Sequence, residues 1–229
     1  AYNGGFEQQF LGGNPLLKPE IKTEYEAGVE LSFFNRLDLG VTYYSNQIKD
    51  NLVQADVNPS SSFSARYGNL AQLENKGLEI DINFAILRNS DLKWNMSGTF
   101  GTNRNKVTRL EGTTSLLLTG FAGTSSRAVL NQPVGVLWGG RFDRDTAGAL
   151  VLDSQGFPTA ASTEGVLGDP NANFRAGLSN SFSYKGLSLN VLFDSSVGGD
   201  LWDGTNGALN VFGKTIESAN ILNLSAAEA

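Results

Sequence analysis

From residue 24 onward the chain alternates apolar and polar side chains in strict period two, and no other feature constrains its fold as much. Tyr25, Ala27, Val29, Leu31 and Phe33 fall on one side, with Glu24, Glu26, Gly28, Glu30 and Ser32 on the other. After Asn35-Arg36 the pattern resumes, with Leu37, Leu39, Val41 and Tyr43 set against Asp38, Gly40, Thr42 and Tyr44. Successive side chains of a strand point to opposite faces, so each strand has one apolar and one wet face. Period two over this length argues strand and not helix.

The same device recurs twice. Leu78, Ile80, Ile82 and Phe84 oppose Glu79, Asp81 and Asn83. A short turn then leads into Leu92, Trp94, Met96, Gly98 and Phe100, opposed by Lys93, Asn95, Ser97 and Thr99. The third copy places Ala176, Leu178, Phe182 and Tyr184 against Gly177, Ser179, Ser181 and Ser183. It turns at Lys185-Gly186 into Leu187, Leu189, Val191 and Phe193. These hairpins cover about 22–54, 75–104 and 174–195, and the segments between and after them, about 55–74, 105–173 and 196–229, read as long loops. Short turns at one end of a sheet and long loops at the other are the asymmetry of outer-membrane β-barrels. A water-soluble β-protein is the alternative reading of the alternation alone.

Each strand supplies about the 9–11 residues that a tilted strand needs to cross a bilayer. Aromatics gather at the short-turn end of all three hairpins. Phe33 and Phe34 precede the first turn, Trp94 follows the second and Tyr184 precedes the third, as an interfacial belt requires. The expected fold is all-β, an antiparallel transmembrane β-barrel that is partial. About six strands are visible, whereas single-chain barrels start at about eight and an open edge is not tolerated in lipid. The loop-like start Ala1-Tyr2-Asn3-Gly4-Gly5 and the end Leu224-Ser225-Ala226-Ala227, which has no closing aromatic strand, suit a fragment.

Composition removes several functions. There is no cysteine and no histidine, which excludes disulfides, thiol chemistry, Ser-His-Asp catalysis and histidine zinc sites, so no catalytic residue and no metal site is expected. The net charge of -6 argues against a nucleic-acid partner. Asp143, Asp145 and Gly148 imitate the opening of a calcium loop, with Asp153 further on. However, Ala147 and Ser154 stand where ligands are needed, and a polar turn is the better reading. No run of about 18 apolar residues is present, but a barrel escapes that test because only alternate residues face lipid. The mean hydropathy of -0.17 follows from the same alternation.

Several motifs together resemble TonB-dependent outer-membrane receptors. Asn14-Pro15-Leu16-Leu17-Lys18-Pro19-Glu20, followed by Thr23-Glu24-Tyr25-Glu26-Ala27-Gly28, is similar to the family's lead into a barrel strand, and Asn75-Lys76-Gly77-Leu78-Glu79 to the opening of a later one. The second half resembles the SusC/RagA-type receptors more narrowly. Pro133-Val134-Gly135 with Trp138-Gly139, Leu167-Gly168-Asp169-Pro170-Asn171, Phe174-Arg175-Ala176-Gly177 and Gly198-Gly199-Asp200 match that subfamily's loops in order. Ala172 and Asp203 depart from its usual proline and asparagine.

The resemblance implies a barrel of about 22 strands around a plug, of which these are roughly the fourteenth to nineteenth. The plug is absent here, and the resemblance puts it upstream together with the segment that engages the TonB complex. It implies a place in the Gram-negative outer membrane, surrounded by lipid. The implied function is import of an oligosaccharide or peptide with a SusD-like surface lipoprotein, without enzymatic activity and without a cofactor. A siderophore or vitamin receptor, or a non-transporting barrel remnant, has the same architecture. Glu24, Glu26, Glu30, Asp38, Glu79 and Asp81 would line the lumen. Ligand-contact candidates lie in the long loops: Trp138 with Arg141, and Trp202 beside Asp200, where aromatic faces can stack on sugars and charged groups can bind hydroxyls.

Overall fold

The computed structural model describes residues 11–218 except 90, 122 and 217, so the segments 1–5 and 224–227 discussed above lie outside the described residues. The strands are β1 (Leu11–Gly12), β2 (Ile21–Phe33), β3 (Leu37–Asp56), β4 (Ala65–Arg88), β5 (Leu92–Leu110), β6 (Ser115–Phe121), β7 (Thr124–Val129), β8 (Val134–Gly139), β9 (Gly165–Gly168), β10 (Phe174–Tyr184) and β11 (Leu187–Val197). A short α-helix, α1 (Gly204–Val211), follows. Six strands form the main sheet in the order β11-β10-β5-β4-β3-β2, every neighbour antiparallel, with the two-residue β1 added in parallel to β4. A second sheet runs β6-β7-β8-β9.

Register turns six alternating sequences into two continuous faces. On one side Glu24, Asn46, Asn75 and Asn105 fall in line, as do Gly40, Asp81, Thr99, Gly177 and Asp194. On the other side Leu31, Leu39, Ile82, Gly98, Leu178 and Phe193 form one row. The apolar face is uncovered: Tyr25 is 77%, Leu189 59% and Phe193 63% exposed. A soluble sheet would pack such a face against a second layer. Here few hydrophobic side chains are buried among the described residues, and the buried cluster, Val107, Leu116 and Ala128, lies away from this face. In the described residues the sheet is an open arc of a barrel wall with β2 and β11 as its edges.

The tight ends follow from local chemistry. Lys185 and Gly186 both have positive φ, 44° and 89°, the two-residue hairpin turn whose twist matches its strands. Close by, Trp94 stacks on Phe182 at 5.3 Å between ring centroids, and the Lys185 ammonium lies 5.3 Å from the Tyr184 ring.

Two expectations need correction. Strands of about 9–11 residues were expected, but β3, β4 and β5 run for 20, 24 and 19 residues. They carry the sheet through most of 55–74 and through 105–110, which were read as loop. The remaining long segments also hold structure: β6–β9 lie within 105–173 and α1 within 196–229. The reason is physical. At roughly 3.3 Å per residue β4 spans about 80 Å, far more than a hydrocarbon core of about 30 Å requires even when tilted. Beyond the apolar band both faces are wet, so hydrophobic alternation stops while the hydrogen-bond ladder continues.

The motif residues do identifiable structural work. A register shift between Ile48 and Asn51, with Asp50 at φ 54°, interrupts the β3–β4 ladder. Glu20 repairs it, accepting from the Leu52 N–H at 2.5 Å and from Asn51 Nδ2 at 2.9 Å. Asn69 and Lys18 exchange hydrogen bonds at 2.8 Å, and Asn14 donates to the Tyr67 carbonyl, so the lead-in segment is stitched to β4. Gly77 is needed for space. A Cβ there would stand 2.3 Å from the Tyr44 ring, which crosses it to donate to Asn103 Oδ1 at 3.1 Å.

Candidate functional site

The loop sheet is fastened to the wall on its polar side. Asn105 and Val107 occupy the polar-face register of β5, opposite Asn75 and Leu73. Val107 is fully buried against Leu116 and Ala128, with Val53, Leu70, Leu73 and Val134 around them. Asn105 accepts from the Val134 N–H at 2.6 Å and donates to Asn171 Oδ1 at 3.1 Å. Asn171 in turn donates to the Val134 carbonyl and to Asp169. One wall residue thus holds the start of β8 and the turn before β10 together.

Trp138 sits on this sheet, half-buried. Its indole N–H donates to Glu164 Oε2 at 3.0 Å, and the Arg127 guanidinium lies 5.9 Å from its ring centre. Arg127 also donates to Ser125 Oγ and Ser115 Oγ, which fixes its plane. Arg141 lies against Gly165, where a Cβ would stand 2.9 Å from the guanidinium carbon. Trp138 and Arg141 are therefore brought to neighbouring positions, beside Glu164 and Gly165 at the start of β9.

Asp200 and Trp202 are placed elsewhere. Asp200 Oδ2 accepts from the Asp169 N–H at 2.7 Å while its own N–H donates to the Asp169 carbonyl at 2.7 Å. Gly198 and Gly199, at φ 78° and 90°, let this loop pass close to Asn173 and Pro170. Asp200 is thus a clamp between two loops, its carboxylate already engaged by backbone. Trp202 lies over Gly204 and lines a shallow groove with Ala208, Leu209 and Phe212 of and after α1. Asp203 caps that helix, accepting from the Asn206 N–H at 2.9 Å, a task asparagine does equally well.

The Asp143 to Gly148 segment is a polar turn: Asp145 Oδ1 accepts from the backbone N–H groups of Ala147 and Ala149, both at 2.9 Å. Asp153 does the same for Gln155 and Phe157. Glu24, on the lumen-candidate face, accepts from Asn46 at 2.9 Å and pairs with Lys22 at 2.7 Å.

Sequence reasoning missed Arg127 and Glu164. Between the ends of β3 and β4 and strand β6 lies a cleft of about 640 Å³, lined by Gln54, Leu70, Glu111, Thr113, Leu117 and Arg127. Its size suits a small organic ligand, and Arg127 connects it to Trp138. No local pattern marks Arg127; only the β7–β8 register brings it beside the indole.

A two-faced antiparallel sheet with tight turns at one end and an anchored loop sheet at the other defines an outer-membrane type of barrel wall. The chain belongs to the TonB-dependent receptor family: the family's sequence model, "TonB dependent receptor-like, beta-barrel", matches residues 1–227. Among curated relatives, TonB-dependent receptor P3 of Formosa agariphila is 29% identical over 213 residues, 82% of this chain and 21% of the relative. SusC of Bacteroides thetaiotaomicron is 32% identical over 101 residues, 43% of this chain and 10% of the relative. The RagAB peptide importer in its closed-closed state has the same fold, with a TM-score of 0.64 at 23% identity over 79% of this chain and 21% of that one. SusC and RagAB are thus among the proteins this chain is similar to, in keeping with the resemblance that its second-half motifs carry. The chain spans about a fifth of the length of the curated relatives it matches over most of its own length, 21% for two of them.

Proposed function

We propose that this chain is the wall and part of the outer loops of a receptor that imports an oligosaccharide or peptide across the outer membrane. In this reading the receptor is driven by the TonB complex through a plug and works with a SusD-like surface lipoprotein. The observation that carries the reading is the pairing of two faces with an anchored loop sheet. The apolar face suits lipid, the polar face suits a lumen, and Asn105 holds the Trp138 cluster on the lumen's side. Cargo meets Arg127 at the cleft and Trp138 with Glu164 beside it; Arg141 is a second contact, while Asp200 and Trp202 shape the loops that present them. The family's members are transporters, and their place is the outer membrane of Gram-negative bacteria.

The test is uptake by the full receptor. Deleting its gene should abolish growth on one class of oligosaccharide or peptide as sole source, with growth on monomers unchanged. Trp138→Ala should weaken uptake of that cargo about two- to tenfold, the value of one aromatic contact. A growth defect confined to iron limitation would replace this reading with a siderophore receptor.

A further inference from the structure

Three of the 17 basic residues of this acidic chain gather on the apolar face just past its hydrophobic band. In β4 that face reads Phe84, Ile82, Ile80, Leu78 and then Lys76 and Glu74; in β5 it reads Phe100, Thr102 and then Arg104 and Lys106. Leu78 pairs with Thr102, Lys76 with Arg104, and Glu74 with Lys106, so the change from apolar to charged falls at one level on both strands. Glu74 neutralises only Lys76, at 2.6 Å. Among the described residues, Arg104 and Lys106 have no carboxylate within ion-pair distance, and both are exposed. Lys76 and Arg104 are directly opposite, an arrangement that costs stability unless an anion lies between them. A groove of about 330 Å³, bounded by Lys76, Arg104 and Lys106 together with Glu74, Asn105, Asn131 and Pro133, opens beside them.

We propose that Arg104, Lys106 and Lys76 form a binding site for the phosphate of an anionic outer-leaflet lipid headgroup, seated where the apolar band of β4 and β5 ends. The inference rests on the proposed function, since it takes the apolar face as the one that meets lipid. Position selects the ligand: a charge on the lipid side of the wall at this level meets headgroups, not cargo. A guanidinium offers a paired fork to phosphate oxygens, and each basic side chain at such a surface is worth about 1 kcal/mol toward an anionic lipid. The opposite end of the same face carries Trp94, Phe182 and Tyr184, with Lys185 over the Tyr184 ring, so the two membrane levels differ in their aromatic content.

Native mass spectrometry of the intact receptor in detergent, titrated with phosphatidylglycerol, phosphatidylcholine or inorganic phosphate, tests this. The double variant Arg104→Gln/Lys106→Gln should retain phosphatidylglycerol about tenfold less well than the parent, with phosphatidylcholine unchanged in both. Arg175→Gln, on the polar face, should behave as the parent. Equal retention by parent and double variant would overturn the proposal. Displacement of the lipid by millimolar inorganic phosphate would make the site a free-anion site and overturn the lipid assignment. If the apolar face proves accessible to water in the intact receptor, the proposed function itself fails, which separates the two outcomes.

Discussion

Ile80→Arg in the full receptor should cost about 2–4 kcal/mol of barrel stability, whereas Asp81→Arg, one residue further along β4, should cost far less. Ile80 pairs with Val41 and Phe100 on the apolar face, and Asp81 pairs with Gly40 and Thr99 on the polar face. A guanidinium at Ile80 would have to sit in hydrocarbon or drag water to it. At Asp81 it would point into a surface already lined by Thr99, Asn83 and Ser97. Urea titration of the refolded receptor in lipid, followed by heat-dependent gel migration, reads the difference. The pair shares one strand, one depth and one introduced side chain, so strand propensity and expression effects cancel. Equal losses at both positions would contradict a wall with lipid on one side only.

Asn105→Ala should loosen the loop sheet and leave the barrel standing. The substitution strands the Val134 N–H, held at 2.6 Å, and frees Asn171, which joins the turn at Asp169 to β8. Leaving such a part-buried donor unpaired costs about 1–3 kcal/mol. Amide exchange in β8 and in 165–173 should therefore quicken by about five- to 150-fold, with β3 and β4 unchanged. Uptake should fall with it, because the Trp138–Glu164 contact depends on where β8 and β9 lie. If exchange in β8 stays at the parent rate, Asn105 is not the anchor and the loop sheet is held by the Val107 cluster alone.

The parts of the fold that were legible in the sequence are those that a membrane dictates. Leu31, Leu39, Ile82 and Leu178 alternate with polar neighbours because one solvent is oil and the other water, and that contrast is written residue by residue. Past Leu78 the contrast fades, and with it the signal: Glu74, Asn105 and Lys106 read as loop although they continue the ladder. The loop sheet was equally hidden. Its strands are short, and irregular registers such as that between Arg127 and Ala128 blur the period. The motifs marked the family correctly, but their physical tasks needed coordinates. Glu20 repairs a register break 30 residues away, and Asp200, read as a ligand candidate, spends its carboxylate on the backbone of Asp169. Trp138 and Arg141 were visible as chemistry, whereas Arg127 and Glu164 became visible only through pairing.

The absence of cysteine from these residues allows the central claim to be read directly. Single cysteines placed in turn at positions 78 to 84 of an otherwise cysteine-free full receptor, in intact outer membranes, would be treated with a water-soluble maleimide. The two-faced wall predicts an alternating result: labelling at Glu79, Asp81 and Asn83, and protection at Leu78, Ile80, Ile82 and Phe84. Uniform labelling along the segment, or protection of the acidic positions in place of the apolar ones, would contradict it.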